Sequence, residues 1–146
     1  MRLVTGVQTC ALPILRWHNP MAKIRIAQNP TFKAFVSIPI VGGEPEKIEF
    51  TFKYRDRPGL AALFDEWTLK RDEAQAALGD KPTLSEIVAA DTEQQAQQIK
   101  DLVVGWGFDD KFDDKSILAL VKSCQGAAEA VVNAYQNAFS QARLGN

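Results

Sequence analysis

The clearest hydrophobic patterns in the first half of the chain have a period of two. Phe32 to Ile40, FKAFVSIPI, puts Phe32, Ala34, Val36, Ile38 and Ile40 on one face. Glu46 to Tyr54 alternates more cleanly, with Ile48, Phe50, Phe52 and Tyr54 facing one way and Lys47, Glu49, Thr51 and Lys53 the other. Such runs predict strands buried on one face and wet on the other. Val41 to Pro45, VGGEP, lies between them and predicts an antiparallel hairpin, with glycine free to adopt positive φ in the turn. Pro39 restricts the end of the first strand to an edge or a bulge. A weaker alternation over Ala22 to Gln28 predicts one more short strand, stopped by Asn29-Pro30. A lone hairpin is marginal in water, so helices must cover its apolar face.

The pattern then turns helical. Pro58 suits a first helical turn, and Leu60, Leu63, Phe64 and Trp67 form one stripe. That stripe is expected to pack on the hairpin, the competing use being a partner groove. The helix should fade by Gly79, its second half (Lys70 to Ala77) being mostly solvated. Thr83 and Glu86 match a capping box before Leu84, Ile87 and Val88. Asp91 or Thr92 is expected to cap another helix. This one should run to about Gly105, with Ala96, Ile99, Val103 and Trp106 on one stripe and Gln94 to Gln98 on the wet face. Gly105 or Gly107 is expected to close it in the left-handed conformation. Ile117, Leu118, Leu120, Val121 and Cys124 mark a fourth helical run, broken by Gln125-Gly126. The last helix is the cleanest, with Ala128, Val131, Val132, Tyr135, Ala138, Phe139 and Ala142 on one stripe. The expected fold class is therefore α+β. An N-terminal antiparallel β-hairpin or small sheet (β segment 22–54) precedes a bundle of four to five α-helices (57–143).

The length of 146 residues suits one domain, and a net charge of −1 points to neither nucleic acid nor a membrane surface as partner. No apolar run is long enough to span a bilayer. Val4 to Ile14, VTGVQTCALPI, resembles the conceptual translation of a sequencing-library adapter. Residues 1–20 are accordingly expected to be an artefactual, disordered extension, with Met21 the true start. The competing readings are a signal peptide or a lipoprotein leader. Against them, the apolar stretch Ala11 to Leu15 is short and broken by Pro13, and Val7-Gln8-Thr9 is bulky and polar before Cys10. Setting these residues aside removes His18 and Cys10. The remainder has no histidine and one cysteine, Cys124, which excludes Ser-His-Asp and Cys-His pairs and histidine-based zinc sites.

Two stretches could still carry chemistry. Gly42-Gly43 lacks the Lys-Ser/Thr of a phosphate loop and the spacing of a dinucleotide fingerprint. Asp109, Asp110, Asp113 and Asp114 invite a calcium or magnesium site. Their spacing does not fit an EF-hand loop, whereas Asp113 or Asp114 capping the next helix accounts for at least one of them. No catalytic residue, cofactor or metal is expected.

From Met21 onward the sequence resembles bacteriophage or prophage tail assembly chaperones. The matching stretches are MAKIRIAQNPTFKAFVSIPIVGGE, FTFKYRDRPGLAALFDEW, IKDLVVGWGFDDKFDDKSILALV and AAEAVVNAYQNAFSQARLGN, in the family's order. The resemblance lies in that order, in the Gly-Trp before the acidic turn, and in the small-residue final helix. Where the family often has an aromatic-Pro pair between its last two helices, this chain has Ser123-Cys124-Gln125-Gly126. The resemblance implies a non-enzymatic protein of the host cytoplasm, absent from the finished virion. It would bind the aggregation-prone tape measure protein and keep it soluble while tail tube subunits polymerise around it. Contact with the tail tube protein and self-association into a homo-oligomer are further implied partnerships. The candidate partner-binding residues are Trp106, Phe108, Phe112, Tyr135 and Phe139, on the last two helices and the turn before them. Trp106 is read as either a core anchor or the edge of that surface. The competing function is a small metal-binding or enzymatic α+β domain using the acidic turn 109–114.

Overall fold

The computed structural model describes residues 31–143, with side chains through residue 140. The expectations for residues 1–20 and for a strand at 22–28 lie outside the described residues. Strands β1 (Thr31–Ile38) and β2 (Glu46–Lys53) form the expected antiparallel hairpin, in a register running from Thr31↔Lys53 to Ile38↔Glu46. Gly42 sits at φ 77° in its turn, a conformation that a side chain would disfavour.

Four helices are described. Helix α1 (Arg57–Leu78) is capped by Asp56, whose Oδ1 accepts the Gly59 N–H at 2.8 Å, and it ends at Gly79 with φ 82°. Helix α2 (Leu84–Leu102) begins with the expected capping box: Thr83 Oγ1 accepts the Glu86 N–H, and Glu86 Oε1 accepts the Thr83 N–H at 2.8 Å. Helix α3 (Asp114–Ser123) is capped by Asp113, and helix α4 (Ala127–Arg143) starts after Gly126 at φ 88°. The chain is α+β, as the sequence patterns require.

Four details differ from the expectation. No helix starts at Asp91 or Thr92; α2 runs through them without interruption. The stretch contains no glycine or proline to break it, and Asp91 Oδ2 accepts from Gln95 Nε2 at 2.7 Å, one turn on. Second, α2 stops at Leu102, and Val103–Trp106 form strand β3, antiparallel to β2 with Phe50↔Trp106 and a register shift between Thr51 and Phe52. Neither Gly105 nor Gly107 is left-handed. The free edge of β2 offers ladder hydrogen bonds to the β-branched pair Val103-Val104, and this outweighs the weak local tendency to continue the helix. The described sheet therefore has three strands in the order β1-β2-β3.

Third, the stripe of α1 packs on α2 and not on the hairpin; α4 covers β1, while α2 covers β2 and β3. Trp67 anchors α1 by donating Nε1–H to Asp101 Oδ2 at 2.7 Å. Fourth, Gln94 to Gln98 are not a wet face. Gln94, Gln95 and Gln98 are half-buried and line a cleft of about 440 Å³ with residues of α1 and α4.

The core lies between the inner sheet face and the helices. Phe50, Phe52, Val36, Ile38, Ile99, Leu102, Ile117, Val131 and Tyr135 are all buried there. Phe50→Ala is expected to cost about 3–5 kcal/mol, and Thr83→Ala at the exposed cap about 1 kcal/mol. Urea denaturation of both variants checks the ranking, and equal losses would contradict a core centred on β2.

Candidate partner-binding surface

The five candidate aromatic residues fall into two groups. Trp106 ends β3 and lies across the sheet from Phe50, with ring centroids 6.1 Å apart. Phe108 and Phe112 pack edge-on against the indole, each at 5.0 Å. The indole Nε1–H donates to the Asp110 carbonyl at 2.8 Å, so the acidic turn folds over the tryptophan that precedes it. A Cβ at Gly107 would lie 3.3 Å from the Glu49 carbonyl, which makes a side chain costly where the turn leaves β3. Trp106, Phe108 and Phe112 are each half-buried.

Tyr135 and Phe139 belong to the second group, with Phe32, Phe52 and Tyr54. Tyr135 is fully buried and donates its O–H to the Lys53 carbonyl at 2.7 Å, tying α4 to the end of β2. Burial pushes its phenol above the ordinary pKa of 10.0. In this conformation Tyr135 has no surface to offer a partner. Phe139 is half-buried. The groups join through Phe50 and Phe52, whose rings are 6.1 Å apart. The candidates thus form one chain of rings along the sheet, mostly turned inward.

The acidic turn is spread out. Asp109, Asp110, Asp113 and Asp114 are all exposed. Asp113 Oδ1 accepts the Ser116 N–H at 2.8 Å, and Asp114 Oδ1 lies 3.4 Å from Lys100 Nζ. Among the described residues, no three His, Cys, Asp or Glu side chains come together as a metal would require. No helix among them is long and apolar enough to cross a membrane.

Two features escaped the sequence reading. Asp101 is a polar node: its Oδ2 accepts from Trp67, its Oδ1 from Gln97 at 2.9 Å, and its carbonyl from the Arg55 guanidinium at 2.9 Å. Its partners on α1 and before it are remote in sequence, so no local pattern marks it. The other feature is exposed apolar surface. Leu84 is 75% exposed and Val88 53%, with Ile87 beside them. Leu84 and Val88 line a groove of about 590 Å³ whose opposite wall is Leu118 and Lys122 of α3. The cause is a mismatch of lengths. At about 1.5 Å per residue, the ten residues of α3 cannot cover the nineteen of α2. The signal was present in the chain as a capping box followed by an apolar triplet with no facing apolar run of matching length.

The profile of one family, described as phage tail assembly chaperone, matches residues 21–146. The chain belongs to the phage tail assembly chaperone family. A search of curated proteins returned no match, and neither did a search of solved structures. The family indicates a non-enzymatic role in tail assembly.

Two caps of this chaperone titrate in acid. The Ser116 N–H holds the Asp113 carboxyl below its ordinary 3.8, and the Thr83 N–H holds Glu86 below 4.5. Both pKa values are lowered by folding, so the stabilisation is complete above the ordinary values and is lost as pH falls through the lowered ones. The melting temperature should therefore drop as pH falls below the ordinary carboxylate range. The drop should be shallower in the Glu86→Gln, Asp113→Asn double variant, and an unchanged acid dependence in a thermal melt would contradict these cap assignments.

Proposed function

We propose that this chaperone binds the tape measure protein in the host cytoplasm and keeps it soluble while tail tube subunits polymerise around it. It would act without catalysis and leave before the virion is complete. Family membership over residues 21–146 is the observation that carries this reading. A tape measure is a long amphipathic helical chain with more apolar surface than it can bury alone. The groove between α2 and α3 supplies what such a chain needs. Leu84 and Val88 lie one turn apart on α2, and Leu118 faces them. An apolar helix face laid between them would complete the cover that α3 leaves unfinished. Several copies along one long partner would bring chaperones side by side, so self-association and contact with the tail tube protein belong to the same proposal.

Co-expression with the tape measure protein tests it. The wild type is expected to move the tape measure into the soluble fraction. Leu84→Ser with Val88→Ser should abolish this while changing chaperone stability by only about 0.5 kcal/mol per site, because both side chains are exposed. Trp106→Ala with Phe112→Ala probes the aromatic turn as the competing surface. If the tape measure stays insoluble with the wild type, the proposed function fails. If only the aromatic variants lose it at unchanged stability, the groove is the wrong surface.

A further inference from the structure

The outer face of the sheet carries a second feature, which the apolar groove does not explain. Among the described residues, helices cover only the inner face. On the outer face β1 presents Thr31, Lys33, Phe35 and Ser37, and β2 presents Lys47, Glu49, Thr51 and Lys53. Phe35 is 63% exposed at the centre of β1, directly opposite Glu49. Val104 of β3 adds a second exposed apolar side chain. Lys33 precedes Phe35 by two on its own strand, and Lys47 lies diagonally across, within reach of a long side chain. Lys53 sits two residues beyond Thr51, the partner of Lys33.

Among the described residues these lysines form no ion pair; the pairs there are Lys70–Glu66 and Lys100–Asp114. The chain before β1 can supply no acidic side chain, because the first acid of the whole sequence is Glu44. The same stretch adds Lys23 and Arg25 shortly before β1. A chain that is slightly acidic in total thus has an acid-free basic beginning. Lys33 lies on β1, an edge strand among the described residues, where a lysine discourages unwanted strand pairing. The exposed Phe35 two residues on works against that purpose, since it rewards contact.

We propose that this face, with Phe35 between Lys33 and Lys47 and with Lys53 at its far end opposite Thr31, docks an acidic amphipathic helical segment of the protein partner, with an apolar residue over Phe35 and carboxylates over the lysines. The tape measure as its source rests on the proposed function. Complementary charge fixes the chemistry of the occupant: three lysines against one carboxylate leave the face net positive and select an acidic surface. Glu49 at the centre distinguishes protein from nucleic acid. A phosphate backbone crossing the face would meet that carboxylate, whereas a helix can set a donor or a cation against it.

Two synthetic helical peptides probe the face, with identical leucine positions flanked by glutamates in one and by lysines in the other. Fluorescence anisotropy is expected to show binding of the acidic peptide alone, weakened by salt. The Lys33→Glu, Lys47→Glu, Lys53→Glu variant should bind it at least about tenfold more weakly, and Lys→Gln at the same sites should give an intermediate loss. All three positions are exposed lysines, and melting temperature confirms the fold. Equal binding of both peptides, or no loss on charge reversal, overturns the proposal. So does a change in the chaperone's own mass by light scattering on charge reversal, which would make a second copy the occupant, or displacement of the acidic peptide by single-stranded RNA at equal charge. In co-expression, a wild type that fails to solubilise the tape measure sinks the proposed function. Wild-type success matched by the charge-reversed variant sinks only this face.

Discussion

The structure depends on burying two phenylalanines of one strand. Phe50 and Phe52 point to the same side of β2, and both are fully buried. Each fully buried aromatic ring removes a large apolar area from water, worth about 1.5–3 kcal/mol. A central strand with such a face must have neighbours on both edges and helices above. β1 supplies one edge and β3 the other, while α2 and α4 supply the cover. The rings also set where the aromatic residues of distant segments go. Trp106 and Phe108 stand on Phe50, Tyr135 stands on Phe52, and Phe32 stacks on Phe52 from the neighbouring strand.

What the core leaves uncovered is where contact with other molecules can occur. α3 ends before α2 does, so the first turns of α2 keep Leu84 and Val88 in water beside Leu118. Among the described residues the outer sheet face has no helix, yet Phe35 is apolar there. These two surfaces differ in character: one is an aliphatic groove with a single lysine on its rim, the other a flat basic face around one ring. The half-buried Trp106, Phe108 and Phe112 serve first to fold the acidic turn, through the indole bond to the Asp110 carbonyl.

The legible parts of the fold were those fixed by local chemistry. Asp56, Thr83 and Asp113 each answer the unpaired N–H groups of a helix start within three residues, so their roles are visible in sequence. The hairpin was visible for the same reason: alternation on both sides of a glycine turn leaves one register that buries both apolar faces. β3 was not visible. Val103 to Trp106 continues a helical stripe when read alone, and only the open edge of β2 makes it a strand. The site was less legible still. Tyr135 has the same stripe position whether it meets a partner or the core, and the aliphatic triplet of α2 reads as core until the length of α3 is set against it.

By itself, then, the chain determined its α+β class, its helix starts and the strand faces, because caps, turns and periodicity act over a few residues. Its order of stretches also carried the family. Tertiary structure alone decided that α1 leans on α2, that a third strand closes the sheet, and which apolar side chains remain in water. Those outcomes depend on competition between remote segments for the same buried surface. Phe50 and Phe52 offer one face, and the segments that pack best upon it leave the others exposed.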